Sequence, residues 1–111
     1  MKARRISAVF LAATGDLVSV GGAELEHAAK HFLVPHDFLL GLIARVLTKP
    51  TVVLVDNLKG RPHEYRLFYR LEDGRFLLAI VKVTPGGCFF ASLYPTGKGI
   101  RASHRTFKRL L

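Results

Sequence analysis

Five side chains in this 111-residue chain are of types and spacings that could share a reaction: His27, His31, Arg66, Ser92 and Tyr94. His27 and His31 stand four apart, one helical turn, with Glu24 three residues before His27. Imidazoles at that spacing admit three readings. They could be two metal ligands, a general acid and base, or a helix surface packed partly on a sheet. The ligand set that would complete a zinc helix does not follow in the sequence. There is no phosphate-cradling Gly-rich loop, no C-x-x-C and no H-E-x-x-H. No acidic residue follows Asp73, which argues against a magnesium-dependent nuclease. Histidine, arginine, lysine, serine and tyrosine can still cleave RNA without a metal. The ribose 2′-hydroxyl attacks the adjacent phosphate to give a 2′,3′-cyclic product. A proton acceptor and donor assist, and cations or hydrogen-bond donors surround the phosphorane. Arginine suits that last task because its planar fork meets phosphate oxygens in pairs.

These residues must be positioned by the stretch Tyr65–Tyr94, three apolar runs cut by Glu72-Asp73-Gly74 and Pro85-Gly86-Gly87. That pattern predicts an antiparallel meander. Parity puts Arg66, Phe68 and Arg70 on one face of the first run, opposed by Tyr65, Leu67, Tyr69 and Leu71. In the second run Leu77, Ala79, Val81 and Val83 oppose Phe76, Leu78, Ile80 and Lys82. In the third, Phe89, Ala91 and Leu93 oppose Cys88, Phe90, Ser92 and Tyr94. One self-consistent arrangement gathers Arg66, Arg70, Ser92 and Tyr94 on a single cationic face, with Lys82 as a possible addition. The plainer reading makes the arginines ordinary surface cations, Ser92 a satisfied sheet hydroxyl and Tyr94 a rim aromatic.

The rest of the chain reads as support. Arg5–Leu11 and Leu17–Val20, around Thr14-Gly15-Asp16, form a β-hairpin. Ala23–Phe32 has helix-forming composition. Pro35-His36-Asp37 opens a second helix, with Asp37 as N-cap or first-turn acid. Phe38, Leu39, Leu42, Ile43, Val46 and Leu47 give that helix a wide apolar stripe to cover the sheet, and Lys49-Pro50 ends it. Thr51–Asp56 is a further strand, Asn57–Pro62 a turn and Pro95–Gly99 another. Ile100–Leu111 reads as a short amphipathic helix, with Ile100, His104, Phe107 and Leu111 inward. The expected architecture is α+β, a single domain over 1–111. It divides into an N-terminal hairpin (1–21), two helices (22–49), an antiparallel sheet of about four strands (51–96) and a basic C-terminal helix or tail (98–111).

Half the residues are hydrophobic and 23% charged, which excludes a disordered chain. No apolar stretch is long enough for a membrane span, and the basic start lacks the cleavage site of a signal peptide. The single Cys88 cannot form an internal disulfide and points to a reducing, cytoplasmic setting. Met1 points to a complete or independently expressed unit. The formal net charge is +9, and residues 51–111 hold eleven Lys/Arg against four Asp/Glu. A basic half interleaved with aromatics predicts a polyanionic partner, nucleic acid ahead of membrane or acidic protein.

The helix with H-x3-H, the helix ending Leu47–Pro50 and the strand TVVLVD are followed by Y-R-L-x-Y-R (Tyr65–Arg70). A strand ending VKV and FFASLYPT (Phe89–Thr96) complete the order. Over roughly Glu24 to Lys98, this resembles the phage-type nucleases of the barnase/EndoU/colicin/RelE superfamily, the BECR-fold domains. The resemblance implies a small α+β RNase with helices on a four-stranded antiparallel sheet, working without metal or cofactor. Members serve as toxins or as modules of phage and mobile-element proteins, delivered by phage or secretion to act in a cytoplasm. The resemblance also implies RNA as partner, and a cognate inhibitor or immunity protein. Position by position, His31 or His27 would be the general acid/base and Arg66 would bind the scissile phosphate, with Arg70 as alternative. Ser92 would supply the final-strand hydroxyl, where many members carry Thr, and Tyr94 the nearby aromatic. Arg70, Lys82, Lys98, Arg101 and Arg105 would bind the nucleic-acid backbone. The N-terminal hairpin is not assigned to any part of the family pattern.

Two other functions fit the same composition. One is a non-catalytic module stacking single-stranded RNA or DNA on Phe68, Tyr69 or Tyr94. The other is a small protein that docks on an acidic partner through its basic tail. Oligomeric state is open to any of the three.

Overall fold

The computed structural model describes residues 5–56, 63–96 and 108–111. Strands β1 (Ile6–Leu11) and β2 (Leu17–Gly21) form the N-terminal hairpin. Helices α1 (Gly22–Phe32) and α2 (His36–Thr48) follow. Strands β3 (Val52–Asp56), β4 (Glu64–Glu72), β5 (Arg75–Thr84) and β6 (Gly87–Pro95) come next, and Lys108–Arg109 forms the two-residue β7. The strands make one sheet of seven in the order β1-β2-β6-β5-β4-β3-β7. The α+β class is as the sequence predicts, but the sheet is larger than four strands and is mixed. Strands β3 to β6 pair antiparallel throughout, whereas β2 joins β6 in parallel through two residue pairs, Val18 with Cys88 and Ser19 with Phe89. The hairpin therefore continues the sheet.

Local chemistry sets each boundary. α1 stops where Leu33 turns left-handed (φ 54°) and its N–H donates to the Ala29 carbonyl at 2.8 Å. α2 starts after Pro35, with Asp37 in its first turn and no side-chain cap. Leu39, Leu42, Ile43, Val46 and Leu47 bury its stripe against the sheet. Phe38 does not join them and stays 58% exposed, because the apolar arc is wider than the contact it makes. The β4–β5 turn has Asp73 at φ 49° and Gly74 at φ 80°, the left-handed pair that matches a two-residue hairpin to strand twist. The expected C-terminal helix is corrected at its end: residues 108–109 pair with Val55 and Leu54 of β3 as a strand. Its preceding part, with Lys98, Arg101 and Arg105, lies outside the described residues, as does the turn 57–62.

The sheet has two unlike faces. The helices cover one, where Val53, Phe68, Ala79, Val81, Phe90 and Leu93 meet the buried stripe of α2 and Leu25 and Ala28 of α1. The other face carries no helix among the described residues. Val52, Leu54, Leu67, Tyr69 and Leu78 form a second buried cluster there, with Phe76, Ile80 and Tyr94 packed partly against it.

Candidate functional site

Register decides which expected site residues share a face. The tight turn pairs Glu72 with Arg75, which sets Arg66 opposite Val81 and Arg70 opposite Leu77. Both arginines therefore lie on the helix-covered face. On β6, Cys88 opposes Val83 and Phe90 opposes Val81, still on that face. The ladder then shifts by one residue: Ile80 pairs with Ser92 and Leu78 with Tyr94. Ala91 is the extra residue of a β-bulge, and everything after it changes side. Ser92 and Tyr94 thus project with Ile80 and Leu78 onto the helix-free face. The single cationic face of Arg66, Arg70, Ser92 and Tyr94 is not formed. A straight β6 would have placed Ser92 opposite Ala79, on the face of the arginines.

The arginines are also engaged. Arg66 donates through Nη1 to Asp16 Oδ2 in the β1–β2 turn and through Nε to Glu64 Oε2 at 3.4 Å. Arg70 donates through Nε to Glu72 Oε2 at 2.8 Å and through Nη1 to the Lys49 carbonyl at 2.6 Å, the end of α2. Arg45 reaches the same Glu72 at 3.5 Å. These guanidiniums fasten the hairpin turn and the α2 C-terminus to β4. Thr14 Oγ1 donates to Asp16 Oδ2 at 2.8 Å and steadies the turn from within.

His27 and His31 are both exposed on α1, ring centroids 5.3 Å apart and nearly perpendicular. They belong to the helical layer and therefore do not meet Ser92 or Tyr94. Among the described residues no three His, Cys, Asp or Glu side chains are grouped as a metal would need. No single described helix is long and apolar enough to cross a membrane. Cys88 is half-buried beside the core; burial first, then the Asp16 carboxylate, push its thiol pKa up, while Arg66 opposes them.

The helix-free face does assemble a polar set. One cross-strand row runs Ser19, Phe89, Lys82, Tyr65, Asp56 across five strands. The next row carries Ser92 beside Ile80 and Leu67, and the following one Tyr94 beside Leu78 and Tyr69. With strands about 5 Å apart, Phe89, Lys82 and Tyr65 span about 10 Å. Lys82 is half-exposed and makes no ion pair among the described residues. Asp56 is the buried charged side chain of the described residues, 4% exposed. His63 precedes β4, two residues from Tyr65, and is half-buried. Tyr65, Phe89, Asp56 and His63 were not among the expected site residues. The alternation Val52, Leu54, Asp56 could have flagged the last acid of β3. The pairing of Tyr65 with Lys82 needed the register.

Compared with family models, with curated proteins and with solved structures, the chain finds no match in any of the three.

Proposed function

We propose that the protein acts on single-stranded RNA through the helix-free face of its sheet. The observation that carries this is the bulge at Ala91, which turns Ser92 and Tyr94 onto the side of Lys82, Tyr65 and Phe89. Aromatic rings offer bases a stacking surface, and Lys82, which makes no ion pair among the described residues, offers a phosphate its ammonium. The net charge of +9 supplies long-range attraction. In this reading the reaction is metal-independent endoribonuclease cleavage to a 2′,3′-cyclic phosphate. Lys82 holds the phosphate, Ser92 in the next row donates a hydrogen bond to it, Tyr94 a row further on stacks a neighbouring base, and His63 takes the acid/base part once given to His27 and His31. Arg66 and Arg70 leave the catalytic set, since carboxylates already hold them.

That same engagement favours a second reading, a binding module without chemistry, because the strongest phosphate ligands are withdrawn from the face. One experiment separates the two. A defined RNA is incubated in EDTA with wild type and with His63→Ala, Lys82→Ala, His31→Ala and Arg66→Met. Cyclic-phosphate ends that disappear in the first two variants and persist in the last two support cleavage at this face. Binding without cleavage, weakened by Lys82→Ala, supports the module. Loss confined to His31→Ala and Arg66→Met would refute the placement.

A further inference from the structure

The two outer edges of the sheet, β1 and β7, are finished differently. β7 spans only two residues, Lys108–Arg109, and so short an edge strand offers little template for a further strand. β1 runs for six, ISAVFL. Val9 is 52% and Leu11 61% exposed, and Leu17, directly across from Leu11, is 64% exposed. A register shift interrupts β1 between Ile6 and Ala8, but Ala8 to Leu11 pair regularly with β2. Among the described residues no strand pairs with the outer side of β1, so its outward N–H and C=O groups form a template. An added strand would bond to that template and set alternate side chains beside Val9 and Leu11.

We propose that β1 is a docking edge for an extended segment of an acidic protein, apolar at alternate positions and ending in carboxylates. Charge selects this occupant. Arg5, exposed, immediately precedes β1, and β1 itself has no acid. An antiparallel incoming strand brings its C-terminal end to Arg5, where carboxylates complement it. A second copy of this chain would bring another +9 and, paired antiparallel, would set Leu11-Ala12-Ala13 rather than carboxylates against Arg5. The inference is independent of the RNA reading, since it rests on the hairpin edge rather than on Lys82, Ser92 and Tyr94.

The test uses a blocked synthetic peptide of alternating valine and threonine ending in glutamates, titrated into the full chain and followed by amide NMR. Two control peptides end in lysines or carry N-methyl groups on alternate amides. The expected result is a shift and exchange protection confined to Ala8–Leu11 and their β2 partners. Affinity should fall at least about tenfold, or roughly 1.4 kcal/mol, for the lysine-ended peptide. The N-methylated peptide should not bind, and Val9→Lys, an exposed change that leaves the core intact, should weaken binding despite adding a positive charge. Binding that survives both N-methylation and Val9→Lys would overturn the proposal, as would no binding at millimolar peptide. A dimer of the protein itself that is lost in Val9→Lys would also overturn it, by naming a second copy as the occupant.

Discussion

Arg66 offers the sharpest contrast between a structural and a phosphate-binding arginine. Its side chain is 19% exposed and that of Asp16 is 35% exposed. The pair therefore lies between a surface ion pair, worth about 0–1 kcal/mol, and a buried one, whose breaking costs about 3–5 kcal/mol. Arg66→Met keeps the apolar stem and leaves Asp16 and Glu64 without their cation, so a loss of about 2 kcal/mol is expected. Asp16→Asn should cost less, about 1 kcal/mol, because Glu64 still holds the guanidinium at 3.4 Å. Contact predicts non-additivity: the double variant should fall short of the summed losses by about 1 kcal/mol. Urea denaturation followed by circular dichroism measures all four corners of the cycle. Folded Arg66→Met should bind RNA within about twofold of wild type, since its cation faces the helical layer. A stability change under about 0.5 kcal/mol, joined to a tenfold or greater loss of RNA affinity, would refute this assignment.

Lys82→Ala should weaken RNA binding and reduce the slope of log affinity against log salt by about 0.7, the share of one phosphate on a single strand; fluorescence anisotropy at several salt concentrations reads it. Leu47→Ala removes a fully buried α2 side chain and should destabilise by about 2–5 kcal/mol in urea, with no change in salt slope. Gly74→Ala places a Cβ at φ 80° in the β4–β5 turn and should cost about 1–2 kcal/mol, measured as a shift in denaturation midpoint. The folded Cys88 thiol keeps its proton to higher pH than the unfolded one. Its contribution is thus full below the ordinary thiol pKa and lost as pH rises through the raised value. Cys88→Ala should lack that alkaline decline in a reducing buffer.

Secondary structure was largely legible because each signal was local. Gly21-Gly22, Pro35 and Lys49-Pro50 bound the helices within a residue or two of where the structure has them, and β-branched runs mark β3 and β5. Other features depended on partners that local signals do not name. An amphipathic reading of the last twelve residues could not foresee that Lys108 and Arg109 would meet Leu54 and Val55 across the free edge of β3. Nor could the hairpin's parallel seat against β6 be read from its own sequence, since two residue pairs make it. Phe38 matched the apolar stripe in period but lay beyond the arc that α2 buries.

The face assignment failed for a more specific reason, and it bears on function. Parity within β4 and β5 was right, but within β6 it held only as far as Phe90, since an extra residue breaks the alternation. Up to Phe90 the ladder agrees with the single face expected for Arg66, Arg70 and Ser92; one extra residue at Ala91 then inverts the remainder of β6. Nothing in FFASLYP marks the bulge, because alanine suits either pairing. Leu93 profits from the inversion: it joins Phe90 and Ala79 in the helix-side core at 1% exposure instead of lying across from Leu78 on the helix-free face. With Leu93 drawn inward, Ser92 and Tyr94 must face outward beside Ile80 and Leu78. The bulge thus couples a core requirement to the composition of the helix-free face. Replacing Leu93 with a polar residue would remove the apolar anchor that holds the inversion, and Ser92 and Tyr94 would lose their place alongside Lys82.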